Sequence, residues 1–75
     1  MKGRFWVSGI VTYQDGTKKL VVILETEDGR RVEKLYSPSY FKANREKIKK
    51  LMIEELKKLK RRETVYHEEE VEIGG

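Results

Sequence analysis

The sequence predicts a small α+β domain in which a three-stranded antiparallel meander packs on one long C-terminal helix. Two Asp-Gly pairs, Asp15-Gly16 and Asp28-Gly29, separate three segments rich in apolar and β-branched residues, a pattern typical of tight hairpins. A Ser-Pro pair follows the third segment, and apolar residues then recur at helical spacing. The length of 75 residues limits the chain to one domain.

The strands are predicted between these turns, over residues 4–13, 18–27 and 30–36. An Asp-Gly pair favours a two-residue type I′ loop, because both central residues of that turn have positive φ. Counting outward from two such loops places Val11 opposite Leu20, and Leu35 opposite Val22.

This register predicts two different sheet faces. The face expected beneath the helix carries Phe5, Val7, Val11, Leu20, Val22, Leu24 and Leu35. The other face is expected to carry Trp6, Ile10, Val21, Ile23, Val32 and Tyr36, with Arg4, Lys19, Arg30 and Lys34 around them. In a sheet with one solvated face, polar residues on that face normally alternate along each strand with apolar residues on the buried face. The apolar second face therefore predicts a further layer, which is the C-terminal segment, a second copy of the protein or a bound partner.

The helix is predicted from Pro38 to about Arg62, with Ser37 as its N-cap. Its apolar stripe is expected to contain Phe41, Ile48, Leu51, Met52, Leu56 and Leu59, with Ile53 outside it. The predicted domain covers residues 1–63. Residues 64–75 form either a fourth strand, giving the order β-β-β-α-β, or an acidic tail.

Charge is distributed unevenly along the chain, although the total is only +4 at pH 7. Residues 39–62 contain ten cations and three anions, whereas residues 63–75 contain five anions and no cation. Basic clusters attract phosphates, and Trp, Tyr and Arg side chains stack on bases. The leading prediction is therefore a non-enzymatic nucleic-acid-binding domain, for DNA or RNA. The expected sheet contacts are Arg4, Trp6, Lys19, Arg30, Lys34 and Tyr36. The expected helix contacts are Lys42, Lys49, Lys50, Lys57, Lys60 and Arg61.

Two other functions compete with nucleic-acid binding. The apolar second face would also suit a protein-interaction module, either a homodimer or an inhibitor or regulator of a partner protein. The ending Gly74-Gly75 resembles the terminus of ubiquitin-like modifiers and sulfur carriers, which implies activation of the last glycine as an acyl-adenylate. That fold has two strands before its helix, whereas three are predicted here.

In the order of its elements, residues 4–62 resemble the small arm-site DNA-binding domains of some phage integrases. That resemblance implies that the exposed sheet face docks in the DNA major groove. A fourth strand beside the first would resemble the ribonuclease-H-like fold instead. Those enzymes need a carboxylate on the first strand to hold Mg²⁺, and residues 4–13 contain no Asp or Glu.

Composition argues against several kinds of site. The chain has no Cys and a single His, His67, so no metal or other cofactor is predicted. Asp15 and Asp28 are used in turns, which leaves no Ser-His-Asp arrangement, and no small-molecule substrate is evident. The longest apolar run covers residues 20–24, and the first residues are not expected to act as a secretory signal, so the expected location is the cytoplasm, without a membrane partner. The high Lys and Glu content follows the trend of heat-stable proteins.

Overall fold

The computed structural model describes residues 2–67 and confirms the α+β class, with a three-stranded antiparallel meander followed by one helix. Strand β1 spans Gly3–Thr12, β2 spans Lys18–Thr26 and β3 spans Arg31–Tyr36. Helix α1 spans Pro38–Lys57, and a fourth strand, β4, spans Thr64–His67.

Strand β4 makes the sheet four-stranded and mixed. The strand order is β1-β2-β3-β4, and β4 runs parallel to β3, so that α1 is the crossover between these two strands. The fourth-strand alternative is thereby confirmed for residues 64–67, while residues 68–75 lie outside the described residues. Because β4 lies beside β3 and not beside β1, the layout differs from the ribonuclease-H-like order.

Both hairpin loops are one residue longer than the sequence predicts. In the first hairpin the backbone N–H of Tyr13 donates to the carbonyl of Thr17 at 2.8 Å, which leaves residues 14–16 as the loop. The second hairpin has the same pattern, with residues 27–29 as its loop. The two loop glycines have φ values of 87° and 88°, and a glycine in this left-handed region closes a three-residue hairpin. The prediction of two-residue loops was wrong.

Because the second loop is one residue longer than predicted, the side chains of β3 point to the opposite faces of the sheet from those predicted. Val22 pairs with Lys34, and Val21 pairs with Leu35. Since paired residues point to the same side of a sheet, Val32, Lys34 and Tyr36 lie on the helix side, and Leu35 lies on the far face. The sequence predicted the opposite side for all four residues.

The longer first loop also shifts β1 by one residue relative to β2, and a bulge cancels this shift in the first half of β1. The register of β1 with β2 shifts between Val7 and Gly9, which leaves Ser8 as the extra residue. N-terminal to the bulge, Phe5 and Val7 lie on the helix side and Trp6 lies on the far face, as predicted. C-terminal to it, Ile10 lies on the helix side and Val11 on the far face, the reverse of the prediction.

The core lies between α1 and the two central strands. The fully buried side chains are Val22, Val32, Ile48 and Met52. Partly buried apolar residues packed around them are Phe5, Leu20, Tyr36, Phe41, Ile53 and Leu59. Leu51 is 46% exposed, so the helix stripe was predicted wrongly at two positions: Leu51 lies outside the core and Ile53 lies in it.

The predicted start of α1 is confirmed and its predicted end is wrong. The Ser37 hydroxyl accepts a hydrogen bond from the N–H of Tyr40, and Pro38 opens the helix. Asn44 has non-helical dihedral angles (φ −125°, ψ 23°) and kinks the helix. The helix ends at Lys57, five residues before the predicted Arg62.

Acid stability is expected to depend on Asp28 in the second turn. Hydrogen bonds from the Thr26 hydroxyl and from Arg30 lower the pKa of Asp28 to about 2. A carboxyl whose pKa is lower in the folded state stabilises the fold above its unfolded pKa of about 4 and loses that contribution as the pH falls toward 2. Melting temperatures of Asp28→Asn should therefore fall less between pH 4 and pH 2 than those of the wild type. Glu27→Gln, which removes a carboxylate from the same loop, is the control; equal curves for all three proteins would contradict the role of Asp28.

Candidate nucleic-acid interface

The far face of the sheet, opposite α1, has an apolar centre with charged residues around it. Trp6 pairs with Ile23, and Val21 pairs with Leu35. The guanidinium carbon of Arg4 lies 4.8 Å from the centre of the Trp6 ring, which is cation–π distance. Three of the predicted sheet contacts, Arg4, Trp6 and Lys19, therefore share this face.

Arg31 also lies on the far face, and the sequence reasoning missed it. Its guanidinium pairs with Glu25, where Nη1 and Oε2 are 3.3 Å apart, and with Glu33. Its Nε is buried, with no hydrogen-bond partner among the described residues. Counting from three-residue loops would have placed Arg31 here. Because two carboxylates hold this guanidinium, the far face is less basic than predicted.

The other three predicted sheet contacts lie elsewhere. Lys34 reaches Glu55 of α1, with Nζ and Oε2 3.1 Å apart. The Tyr36 ring stacks on Tyr40 of α1 at 5.7 Å between ring centres, and burial raises the pKa of the Tyr36 phenol. Arg30 belongs to the second turn, where Nε lies 2.9 Å from Asp28 Oδ2. The prediction that these three residues share one surface with Trp6 was wrong, because it assumed a two-residue loop in the second hairpin.

The side of α1 that faces away from the sheet carries a basic stripe, defined here as Lys47, Lys50, Lys57 and Lys58. All four side chains are exposed. At 100° per residue they fall within an arc of about 100°, opposite the buried residues Ile48, Met52 and Leu56. One anion, Glu54, shares the arc. Four cations thus lie along about 16 Å of helix.

The remaining predicted helix contacts lie around this stripe. Lys42 is exposed in the first part of α1, before the kink, and Lys49 is half-buried on the flank toward β1. Lys60 and Arg61 follow the end of the helix and are exposed in the connection to β4. The sequence placed them in the last helical turn.

The cations of residues 39–62 are not neutralised within the described part of the chain. Arg30, Arg31 and Lys34 each form an ion pair in the described part of the chain, whereas none of the ten cations of residues 39–62 forms one there. Arg45 alone has an aromatic contact, with its guanidinium 5.6 Å from the Phe5 ring.

A shallow cleft lies on the helix side between α1 and the first two strands, with a volume of about 270 Å³. Apolar side chains and three cations line it. Among residues 2–67 no group of three or more acidic or His residues could hold a metal ion, and no helix of that segment is long and apolar enough to cross a membrane. Gly74-Gly75, which carry the predicted resemblance to ubiquitin-like modifiers, lie outside the described residues.

These features define a small α+β protein with a mixed sheet, one helix on one side of it, and an exposed basic stripe on that helix. No protein-family model, curated protein or solved structure matches the chain.

Proposed function

We propose that the protein is a non-enzymatic nucleic-acid-binding protein that contacts phosphates through the basic stripe. The observation that carries this proposal is the absence of ion pairs for the ten cations of residues 39–62 within the described chain. Cations that face solvent gain most from a phosphate backbone, because neutralising each phosphate releases a condensed counterion.

Comparison of the two candidate surfaces favours the helix. On the far face, Arg31 is held by Glu25 and Glu33, so a phosphate would have to compete with two carboxylates. The basic stripe has one nearby anion, Glu54, and no ion pair within residues 2–67. The two surfaces lie on opposite sides of the sheet, so one duplex segment would contact one of them at a time.

The test is a titration of a labelled DNA duplex and a labelled RNA duplex at about 50 and about 200 mM salt. We expect the logarithm of the affinity to fall by about 0.9 for each neutralised phosphate per tenfold increase in salt. Failure to bind either nucleic acid at the lower salt concentration would rule out the proposal.

Tryptophan fluorescence identifies the surface in the same titration. Trp6 is the only tryptophan and lies on the far face. Binding by the basic stripe should leave its emission nearly unchanged, whereas base stacking on the far face should quench it. Strong quenching would move the proposed interface from the helix to the sheet.

A second candidate function, protein–protein interaction, is favoured by the exposure of β1. This strand is an edge of the sheet, and Arg4 is its only charged residue. Its apolar side chains are exposed on both faces: Val7 is 39%, Ile10 61% and Val11 37% exposed. Natural proteins usually protect such edges with charges, and an unprotected edge can accept a strand from another chain. Sedimentation should then show that the wild-type protein is a dimer and that Ile10→Lys is a monomer. A monomeric wild-type protein would exclude the homodimer.

A further inference from the structure

The cleft beside α1 combines an apolar floor with a cationic rim. Phe5 and Leu24 of the sheet and Ile53 and Leu56 of the helix form the floor. The helix packs mainly on β2 and β3. Phe41 in its first half stacks on Phe5 of β1, whereas around Ile53 its flank toward β1 leaves a space above Gly3 and Phe5. A space of about 270 Å³ remains open to solvent.

The rim of the cleft is positively charged. Its cations are Arg30, Lys49 and Lys57, and no carboxylate lines the cleft. Asp28 balances Arg30, with 2.9 Å between Nε and Oδ2. Lys49 and Lys57 form no ion pair within residues 2–67. They lie about 12 Å apart along the helix, with Ile53 midway between them.

The polar groups of the cleft offer little to a ligand that needs directed hydrogen bonds. The Thr26 hydroxyl, one of the few polar groups in the lining, already donates to Asp28. A nucleobase would bury its polar edge without partners, which is costly. An apolar body gains from the floor, and a negative end gains from either lysine. The volume lies just below the usual range of about 300–1,000 Å³ for ligand pockets, which limits the ligand to a short chain or one small ring system.

We propose that this cleft binds a small amphipathic carboxylate, with its apolar body on Phe5, Leu24 and Ile53 and its carboxylate at Lys49, which is half-buried whereas Lys57 is exposed. The proposal is independent of nucleic-acid binding, because the floor lies beneath the helix and the basic stripe lies on its outer surface. Lys57 alone belongs to both surfaces.

The test uses octanoate as the probe, followed by amide chemical shifts of the ¹⁵N-labelled protein. We expect saturable shifts concentrated at Gly3, Thr26, Ile53 and Leu56, with an affinity in the millimolar range, as is usual for so small a ligand. Octanol, which has the same chain length and no charge, should bind about fivefold more weakly, because it loses one partly exposed charge pair. Equal affinities for octanoate and octanol, or shifts confined to residues outside the cleft, would overturn the proposal.

Two neighbouring lysines provide matched variants. Lys49→Gln should weaken octanoate binding about fivefold, whereas Lys50→Gln, in the basic stripe, should leave it unchanged. Both positions lie on the helix surface outside the core, and a melting curve for each variant verifies that it folds. Equal weakening by the two substitutions would show a diffuse attraction to the basic protein and would overturn a specific site. Ile53→Trp, which fills the cleft, should abolish binding of both probes; retained binding would also overturn the proposal.

Discussion

Replacing Met52 with alanine is expected to lower the free energy of unfolding by about 2–5 kcal/mol, which is usual for truncating a fully buried side chain. Met52 is 0% exposed and lies at the centre of the helix surface that packs on the sheet. A small domain buries only about 60% of its surface and has little stability to lose. Each kcal/mol lowers the melting temperature of such a domain by about 4–8 °C. Thermal unfolding followed by circular dichroism should therefore show a fall of at least about 8 °C.

The adjacent residue is the control for this substitution. Leu51 lies one position earlier on the same helix and is 46% exposed. Leu51→Ala should therefore cost less than about 1 kcal/mol. Equal losses for the two variants would mean that the helix packs with the rotation predicted from the sequence, with Leu51 in the core.

The second large effect concerns nucleic-acid binding. The triple substitution Lys47→Gln, Lys50→Gln and Lys58→Gln removes three of the four cations of the basic stripe. If each contacts one phosphate, affinity for duplex DNA should fall on the order of 100-fold at about 0.1 M salt, and the salt slope should decrease by about 2–3. The measurement is fluorescence anisotropy of a labelled duplex at several salt concentrations.

The matched control removes the same charge from another surface. Lys2, Arg4 and Lys18 are exposed residues at the ends of β1 and β2. Their replacement by glutamine reduces the long-range attraction equally but leaves the basic stripe intact, so affinity should fall much less. A larger loss in this control variant than in the stripe variant would contradict the helix interface and favour contacts from the first two strands.

The sequence specifies most elements of this fold because the signals for them are local. An Asp-Gly pair marks a hairpin, and Ser37-Pro38 marks a helix start, regardless of the rest of the chain. Loop length is less well specified. A glycine with positive φ occurs both in two-residue loops and in three-residue loops, so residues 14–16 and 27–29 are compatible with either.

That single ambiguity determines most of the error in the candidate site. Side chains alternate between the two faces of a sheet, so one residue of register moves a whole strand's side chains to the other face. Lys34 and Tyr36 were assigned to the wrong face for this reason, and Arg31 was overlooked. Trp6 was assigned correctly because the bulge at Ser8 introduces a second one-residue shift. Gly9, an isolated glycine inside the strand, is the local signal that could have indicated this bulge.

The rotation of the helix was mispredicted for a different reason. Counted at about 100° per residue, Leu51 and Ile53 lie about equally far from Met52, on opposite flanks of the helix. Helical periodicity therefore does not decide which of the two flanks the sheet covers, and the structure shows Ile53 packed on the core. From Ile48 onward the buried positions are Ile48, Met52 and Leu56. The basic stripe lies on the side of the helix opposite these three positions, so the structure was needed to determine which lysines belong to it.

The parallel pairing of β4 with β3 also leads to an expected order of folding. Each hairpin closes a three-residue loop, whereas β4 can reach β3 only after the intervening chain has formed α1 and crossed the sheet. Closing long loops is entropically slower than closing short ones. We therefore expect the meander and the helix to assemble first and β4 to dock last. For the same reason we expect β4 to detach from the sheet more readily than β2, so that its amides exchange with solvent before those of β2.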